Sequence, residues 1–184
     1  CGTPFESKGL HRQADEKAAE LEKALWQATE QGRYPVLCDT SPCTERMRRT
    51  LDRRLQLFEP VEFIWTYLLP RLKVVPLPER VALHVTCSAR KLGLEEKFLQ
   101  VARACAVEVV TPERVGCCGF AGDRGFSYPE LNRSALTHLR LAVAGVCREG
   151  YSNSRACEIG LSLHGGIYYR SILYLLERCT RRQP

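Results

Sequence analysis

The adjacent cysteines Cys117 and Cys118, followed by Gly119, constrain the fold of this chain more than any other feature. Cys87 lies upstream and Cys157 downstream, which gives the spacing Cys-x29-Cys-Cys-Gly-x37-Cys. Neighbouring thiols cannot easily form a disulfide with each other, because that bond has strict distance and dihedral requirements. They can readily bind one metal centre, and a glycine lets the backbone turn tightly around it. The pattern therefore predicts a metal site that draws distant segments together.

The cysteine content also favours metal or redox chemistry. Ten cysteines would indicate a disulfide scaffold in a short secreted protein, but these 184 residues include predicted amphipathic helices that can form a core. No charged-then-apolar signal segment opens the chain, and its longest apolar runs are too short to span a bilayer. We therefore expect a cytoplasmic location. Because the chain opens with Cys1-Gly2 rather than methionine, we expect it to be a piece of a longer polypeptide.

The net charge of +6 comes largely from arginines, which are concentrated in residues 46–54. A nucleic-acid interface would interleave aromatic side chains with this charge, and the stretch has none before Phe58. We therefore interpret the arginines as the solvated face of a helix and expect no nucleic-acid partner.

Hydrophobic periodicity predicts strands alternating with helices. The predicted helices are 14–31, 44–58, 63–69, 94–105, 127–143 and 167–178, and the predicted strands are 34–37, 81–86, 107–110 and 150–153. Ser127 and Glu130 have the spacing of a capping box at the start of the fifth helix. This alternation predicts an α/β fold with mainly parallel strands, whose sites lie beyond the carboxyl ends of the strands. The cysteines of the candidate site each follow a predicted strand.

Two stretches of the chain repeat one order of features: Cys-Gly, helix, strand, and a short polar turn that ends in cysteine. The separation is 42 positions from Cys1 to Cys43 and 39 positions from Cys118 to Cys157. A duplication explains this match, so we predict two Rossmann-like α/β repeats, residues 1–78 and 79–184, with the first truncated.

The first repeat would then carry an incomplete version of the same site. It keeps Cys1 and Cys43, and Cys38, which ends a predicted strand beside them, is a further candidate ligand.

Four segments resemble the cysteine-rich CCG domain that is found in heterodisulfide reductases and in the iron–sulfur subunits of glycolate oxidase. The closest resemblance is to the C-terminal part of D-lactate (D-2-hydroxyacid) dehydrogenases that contain FAD and iron–sulfur clusters. The segments that carry it are Ser41-Pro42-Cys43-Thr44, His84-Val85-Thr86-Cys87, Cys117-Cys118-Gly119-Phe120-Ala121-Gly122-Asp123 and Cys157-Glu158-Ile159-Gly160-Leu161-Ser162.

The chain departs from this family at one ligand position. The family pattern ends in Cys-x-x-Cys, whereas here the first of these positions is Ser154, and its counterpart in the first repeat is Thr40. The five thiolates of the family support a noncubane cluster. The four present here fit a [4Fe-4S] cluster or a tetrahedral zinc ion, and the sequence does not decide between these two metals.

The resemblance implies a parent enzyme that oxidises a D-2-hydroxy acid at FAD, in a region that this chain lacks, and passes electrons through iron–sulfur centres to an acceptor. The chain has no Gly-x-Gly-x-x-Gly fingerprint and no close-spaced ferredoxin cysteines, so we do not expect it to be catalytic alone. Its partners would be the rest of the flavoprotein and an electron acceptor, and we allow for peripheral association of the parent with a membrane. The alternative function is a structural zinc domain. A thiol–disulfide module that uses the adjacent cysteines directly is disfavoured, because vicinal disulfides are strained.

Several other residues are candidates for supporting roles. His164, near two glycines, could donate a hydrogen bond to cluster sulfur, and Asp123 and Ser154 could orient the site. His84 is interpreted as a packed histidine. Cys105 and Cys179 lie at apolar helix positions and are predicted to be core residues.

Overall fold

The computed structural model describes residues 1–180, and its strands pair only in parallel. The predicted α/β class is therefore confirmed. The chain separates into two compact units, Cys1–Glu59 and a second unit that begins at Pro60. None of the described helices is both long and apolar enough to cross a bilayer.

The first unit is a small α/β unit with two short strands. Strand β1 (Val36–Leu37) pairs in parallel with β2 (Leu57–Phe58). Its helices are α1 (Thr3–Glu6), α2 (His11–Ala28) and α3 (Ser41–Thr50). The apolar faces of α2 and α3 form a small core with the residues around β2, and its buried members are Ala18, Met47, Leu51, Leu55 and Leu57.

The second unit contains a four-stranded parallel sheet in the order β4-β3-β5-β6. The strands are β3 (Leu77–Leu83), β4 (Ala106–Val110), β5 (Glu149–Ser152) and β6 (Tyr168–Ser171). A short helix α4 (Pro60–Phe63) continues into a π-helical turn, Ile64–Leu68. The remaining helices are α5 (Cys87–Lys91), α6 (Glu95–Cys105), α7 (Arg124–Ser127), α8 (Pro129–Ala135), α9 (Leu139–Val143), α10 (Arg155–Gly165) and α11 (Ile172–Thr180).

The central strand β3 separates two hydrophobic clusters because successive side chains point to opposite faces of a sheet. Val81 and Leu83 pack in the cluster that includes Phe98, whereas Ala82 packs in the cluster that includes Leu139. Both faces are covered, as is usual for a parallel sheet. From β3 the chain first moves outward to β4 and then returns to β5 on the other side of β3. This reversal creates a crevice at the carboxyl ends of β3 and β5, where α/β proteins commonly bind ligands.

Two strands were not predicted, and two predicted helices are wrong in extent. The predicted helix 44–58 ends at Thr50, because Leu51 is extended and Asp52 accepts a hydrogen bond from the Arg54 backbone N–H in a turn. The residues that follow form β2. The predicted helix 167–178 begins with β6 instead, which pairs with β5 over four residues. Both strands are too short to give a clear alternation of apolar and polar residues.

The predicted helix 127–143 is divided into α7, α8 and α9, and the predicted capping box is wrong. Ser127 is the last residue of α7, and Tyr128, with no side-chain cap, precedes α8. The breaks allow Leu136, Leu139 and Val143 to be buried together, so tertiary packing overrides local helix propensity here.

The predicted repeats 1–78 and 79–184 do not coincide with the two compact units, since Val61 and Ile64 pack into the core around β3. The last four residues of the second predicted repeat lie outside the described residues. The duplication itself stays a prediction.

Candidate metal centre

The fold places all four predicted ligands of the second unit after strands. Cys87 is the first residue of α5 and follows β3, and the hydroxyl of Thr86 caps this helix by accepting a hydrogen bond from the Ala89 N–H at 3.2 Å. Cys117 and Cys118 lie in the loop between β4 and α7. Cys157 is in the first turn of α10, after β5.

The four thiols form a continuous series of contacts. Cys118 Sγ lies 2.9 Å from Cys157 Sγ, Cys117 interacts with Cys118, and Cys87 interacts with Cys117. All four are free thiols. Cys87 and Cys117 are exposed, whereas Cys118 and Cys157 are buried. The structure thus brings together the complete predicted ligand set of the second unit, with one side open to solvent.

Electrostatics concentrates negative charge on one member of the set. Hydrogen bonds from Cys118 and Cys87 hold the pKa of Cys117 far below the ordinary value for a thiol. The Gly119 N–H also donates to Cys117 Sγ at 3.4 Å. Contact with Cys117 in turn raises the pKa of Cys87 and of Cys118. A thiolate is the form of cysteine that binds metals, so these hydrogen bonds favour the binding form of Cys117.

Gly119 is required by the close approach of two backbone segments. Its φ of +68° lies in the left-handed region, and a Cβ there would lie 2.7 Å from both the Leu131 carbonyl oxygen and the Ala135 Cβ. The turn can therefore lie flat on α8.

Asn132 fixes the same turn from the side of α8. This side chain is 1% exposed and donates from Nδ2 to the carbonyl oxygen of Cys118. Gly160 on α10 leaves it room, because a Cβ at that position would lie 2.5 Å from Asn132 Nδ2. The sequence patterns did not single out Asn132, since no spacing rule connects it to the cysteines.

The other predicted supporting residues lie next to α7 or in and next to α10. Ser154 is buried and precedes α10, where its carbonyl accepts from the Glu158 N–H. Asp123 is exposed and precedes α7. His164 lies seven residues, about 10.5 Å along the helix axis, beyond Cys157. Within residues 1–180, no hydrogen bond joins His164 to a cysteine.

The first unit brings two of its three candidate ligands into contact. Cys38 follows β1, Cys43 lies in the first turn of α3, and the two side chains share a hydrogen bond. The bond from Cys43 lowers the pKa of Cys38 to about 6, and the Cys38 thiolate raises the pKa of Cys43. Cys1 Sγ lies 3.2 Å from the Thr3 hydroxyl. Thr40, the residue before α3, accepts a weak hydrogen bond from Cys38 Sγ on its carbonyl at 3.6 Å.

The prediction of a solvated arginine face is wrong for Arg46. This side chain is 2% exposed; its guanidinium forms ion pairs with Glu6 and Asp15, and its Nε donates to the Cys1 carbonyl at 2.7 Å. By contrast, Cys105 and Cys179 lie in the core, as predicted.

The donor set fits a thiolate-bound metal centre. Iron–sulfur clusters and structural zinc ions both take four cysteine thiolates. Within the described residues 1–180, no three His, Cys, Asp or Glu side chains enclose a single point as ligands of one ion would. Either kind of centre needs the four thiols to converge at one edge of the sheet, and the fold brings them together there.

Comparison with known proteins agrees with this geometry. Residues 81–145 match the family described as CCG: Cysteine-rich domain, and this segment contains Cys87, Cys117 and Cys118. The chain is also 27% identical over 143 residues to one of the subunits of the anaerobic glycerol-3-phosphate dehydrogenase of Escherichia coli strain K12, and equally to that of strain O157:H7. These matches cover 70% of this chain and 36% of the relatives, so the chain spans about a third of their length. Residues 81–145 are thus a cysteine-rich CCG domain, as the sequence resemblance predicted.

Proposed function

We propose that the second unit binds a [4Fe-4S] cluster through Cys87, Cys117, Cys118 and Cys157 and transfers electrons within a flavin-dependent dehydrogenase. The observation that carries this proposal is the continuous contact of four free thiols at the carboxyl edge of the sheet. Such a cluster would supply one-electron transfer.

The protein residues would hold the cluster and set its surroundings. Asn132 and Gly119 fix the turn that carries the adjacent cysteines, and α5 and α10 present one thiol each. The exposed pair Cys87 and Cys117 leaves one side of the centre accessible, which a donor or an acceptor of electrons needs. The buried pair would shield the opposite side from water.

The nature of the parent enzyme is inferred from two kinds of similarity. The curated relatives are named as subunits of an anaerobic glycerol-3-phosphate dehydrogenase. The sequence resemblance favours D-lactate or another D-2-hydroxy acid as the substrate, with FAD outside this chain. We infer a parent flavoprotein of the cytoplasm, or one associated peripherally with a membrane, that passes its electrons to a separate acceptor.

One observation favours a second candidate, a structural zinc ion. Four thiolates are a common donor set of a closed structural zinc site, and the short contact between Cys118 and Cys157 already gathers two of them. Zinc does not change oxidation state, so the second unit would then stabilise the fold of the parent enzyme without transferring electrons.

Metal analysis distinguishes the two candidates. The protein should be purified without oxygen and assayed for iron, zinc and acid-labile sulfide. Iron and sulfide in about equal amounts, close to four of each per chain, are expected for the cluster. Stoichiometric zinc without sulfide would refute electron transfer.

Cys118→Ser tests the ligand set, because Cys118 contacts thiols on both sides. The variant should lose most of the bound metal. Cys147→Ser is the matched control, since Cys147 is also buried and its pKa reflects burial and the charges of Arg80 and Glu108 rather than any contact with the four thiols. Full metal content in Cys118→Ser, or equal loss in both variants, would contradict the assignment.

A further inference from the structure

His84 is a buried histidine with one unused ring nitrogen beside the candidate centre. It follows the end of β3 and is 3% exposed. Its Nδ1 lies 3.2 Å from the hydroxyl of Ser152, which is itself fully buried. Its Nε2 is buried and has no hydrogen-bond partner within the described residues. An unsatisfied buried polar atom is costly, so it indicates a partner that the protein alone does not supply.

His84 follows β3 and Ser152 ends β5, so both lie at the edge of the sheet where Cys87 and Cys157 follow the same two strands. The His84 ring and the Cys117 thiol are close enough for their charges to interact. Burial disfavours the charged form of the ring. A neutral imidazole has one N–H and one lone pair.

The negative sulfur decides which nitrogen carries the hydrogen. The sulfurs of a thiolate-bound metal centre only accept hydrogen bonds, so a ring nitrogen that pairs with one of them must carry the hydrogen. Nδ1 then carries the lone pair and accepts a hydrogen bond from the Ser152 hydroxyl. This arrangement satisfies both ring nitrogens once sulfur of the metal centre lies within reach of Nε2.

We propose that His84 donates a hydrogen bond from Nε2–H to a sulfur of the metal centre and thereby raises the reduction potential of that centre. The effect on potential rests on the proposed iron–sulfur cluster, whereas the hydrogen bond itself requires only a thiolate-bound metal. His84 is a positioning residue and supplies no bond to the metal.

The physical reason is the charge of the reduced state. A cluster that has accepted an electron carries more negative charge on its sulfurs, so a hydrogen-bond donor stabilises it more than the oxidised state. Burial of His84 strengthens the effect, because water does not compete for the hydrogen on its ring nitrogen.

The experiment is potentiometric titration of the anaerobically purified protein carrying His84→Leu or His84→Gln. His84→Leu should make the potential more negative, with about a tenfold change in the ratio of oxidised to reduced cluster at a fixed potential, or ~59 mV for a one-electron couple. His84→Gln keeps an N–H donor and should restore part of the shift. His138→Leu replaces an exposed histidine of the same unit and should leave the potential unchanged. An unchanged potential in His84→Leu with full iron content would overturn the proposal.

A second measurement needs no variant and no iron. In protein reconstituted with zinc and labelled with ¹⁵N-histidine, NMR should show His84 as the Nε2–H tautomer with slow hydrogen exchange. The opposite tautomer, or rapid exchange, would overturn the hydrogen bond. If metal analysis finds only native zinc, the proposed electron transfer and the effect on potential both fail, and this spectrum still decides the hydrogen bond.

Discussion

In each unit a buried side chain donates a hydrogen bond to the carbonyl of a cysteine that precedes a glycine turn, but the donor side chain differs between the two units. In the first unit the Cys1 carbonyl accepts from the buried guanidinium of Arg46. In the second unit the Cys118 carbonyl accepts from the buried amide of Asn132. The glycines also agree: a Cβ on Gly2 would lie 2.3 Å from the carbonyl oxygen twelve residues later, and Gly119 is blocked by the carbonyl at the same separation.

The residues that surround the two glycine turns occupy equivalent positions in the sequence but differ in charge. Asp15 and Asn132 each lie 14 residues after the cysteine of the glycine turn, and Arg46 and Gly160 each lie three residues after the cysteine in the following helix, Cys43 or Cys157. The first unit thus uses Arg46, paired with Asp15, where the second unit uses Asn132 beside Gly160. These parallels support the predicted duplication.

The thiols differ more than the turns. The second unit joins four thiols in one series of contacts, whereas the first joins only Cys38 and Cys43. At the position of Cys38, five residues before the helix cysteine, the second unit has Ser152, which contacts His84. The second unit therefore brings all four of its predicted ligands into contact, and the first unit brings together two of its three.

The largest expected effect is on the turn of the second unit. Gly119→Ala should destabilise this unit by roughly 2–5 kcal/mol, because it adds a left-handed alanine and a clash with α8. Gly122→Ala is the control: its φ of +76° is similar, but its Cβ would meet nothing within 4 Å, so about 1–2 kcal/mol is expected. Denaturant unfolding measures both. Equal losses would show that the contact with α8 does not matter.

A smaller loss of stability is expected when the buried Arg46 of the first unit is replaced. Arg46→Met should cost about 1–3 kcal/mol, because the Cys1 carbonyl loses its buried donor while Glu6 and Asp15 can still be solvated. Arg49→Met removes a half-exposed arginine that pairs with the same Glu6 and should cost about 0–1 kcal/mol. The measurement is the urea midpoint of each variant. If both arginines cost the same, burial is not what makes Arg46 important.

The smallest expected effect is on thiol reactivity. In metal-free, reduced protein at pH 6, Cys38 should be alkylated about ten times faster than an ordinary exposed thiol, because its lowered pKa increases the thiolate fraction more than it weakens the nucleophile. Peptide mass spectrometry after iodoacetamide treatment at several pH values gives the rate, and the fully buried Cys105 serves as the unreactive control.

The stability of the protein should depend on pH through the thiol of Cys38. Because folding lowers the pKa of Cys38, its thiolate adds stability that is complete above the unfolded value of about 8.5 and is lost as pH falls through about 6. Cys43→Ala removes the donor whose hydrogen bond lowers the pKa of Cys38, so alkylation of Cys38 should then require a higher pH. An unchanged reactivity profile in that variant would contradict the assigned contact.

The sequence predicted the fold class and the approach of the four second-unit cysteines, because a parallel sheet brings residues after its strands to one edge. It did not predict Asn132, Arg46 or the free nitrogen of His84. These depend on side chains that meet across distant segments, and no periodicity or spacing encodes such contacts. Asp52 before Arg53 and Arg54 is a different case, since an aspartate turn is a local signal that could have ended the predicted helix.

The order of the strands has a consequence for the stability of the protein if it binds the proposed metal centre. The thiols of the second unit come from three segments, and the first and last are 70 positions apart. A centre bound to all of them would close a long loop and so reduce the conformational entropy of the unfolded chain. A disulfide that closes a comparable loop stabilises the folded state by about 4 kcal/mol in this way. Chelation would then act as a denaturant, and the lifetime of the folded unit would depend on the supply of metal in its surroundings.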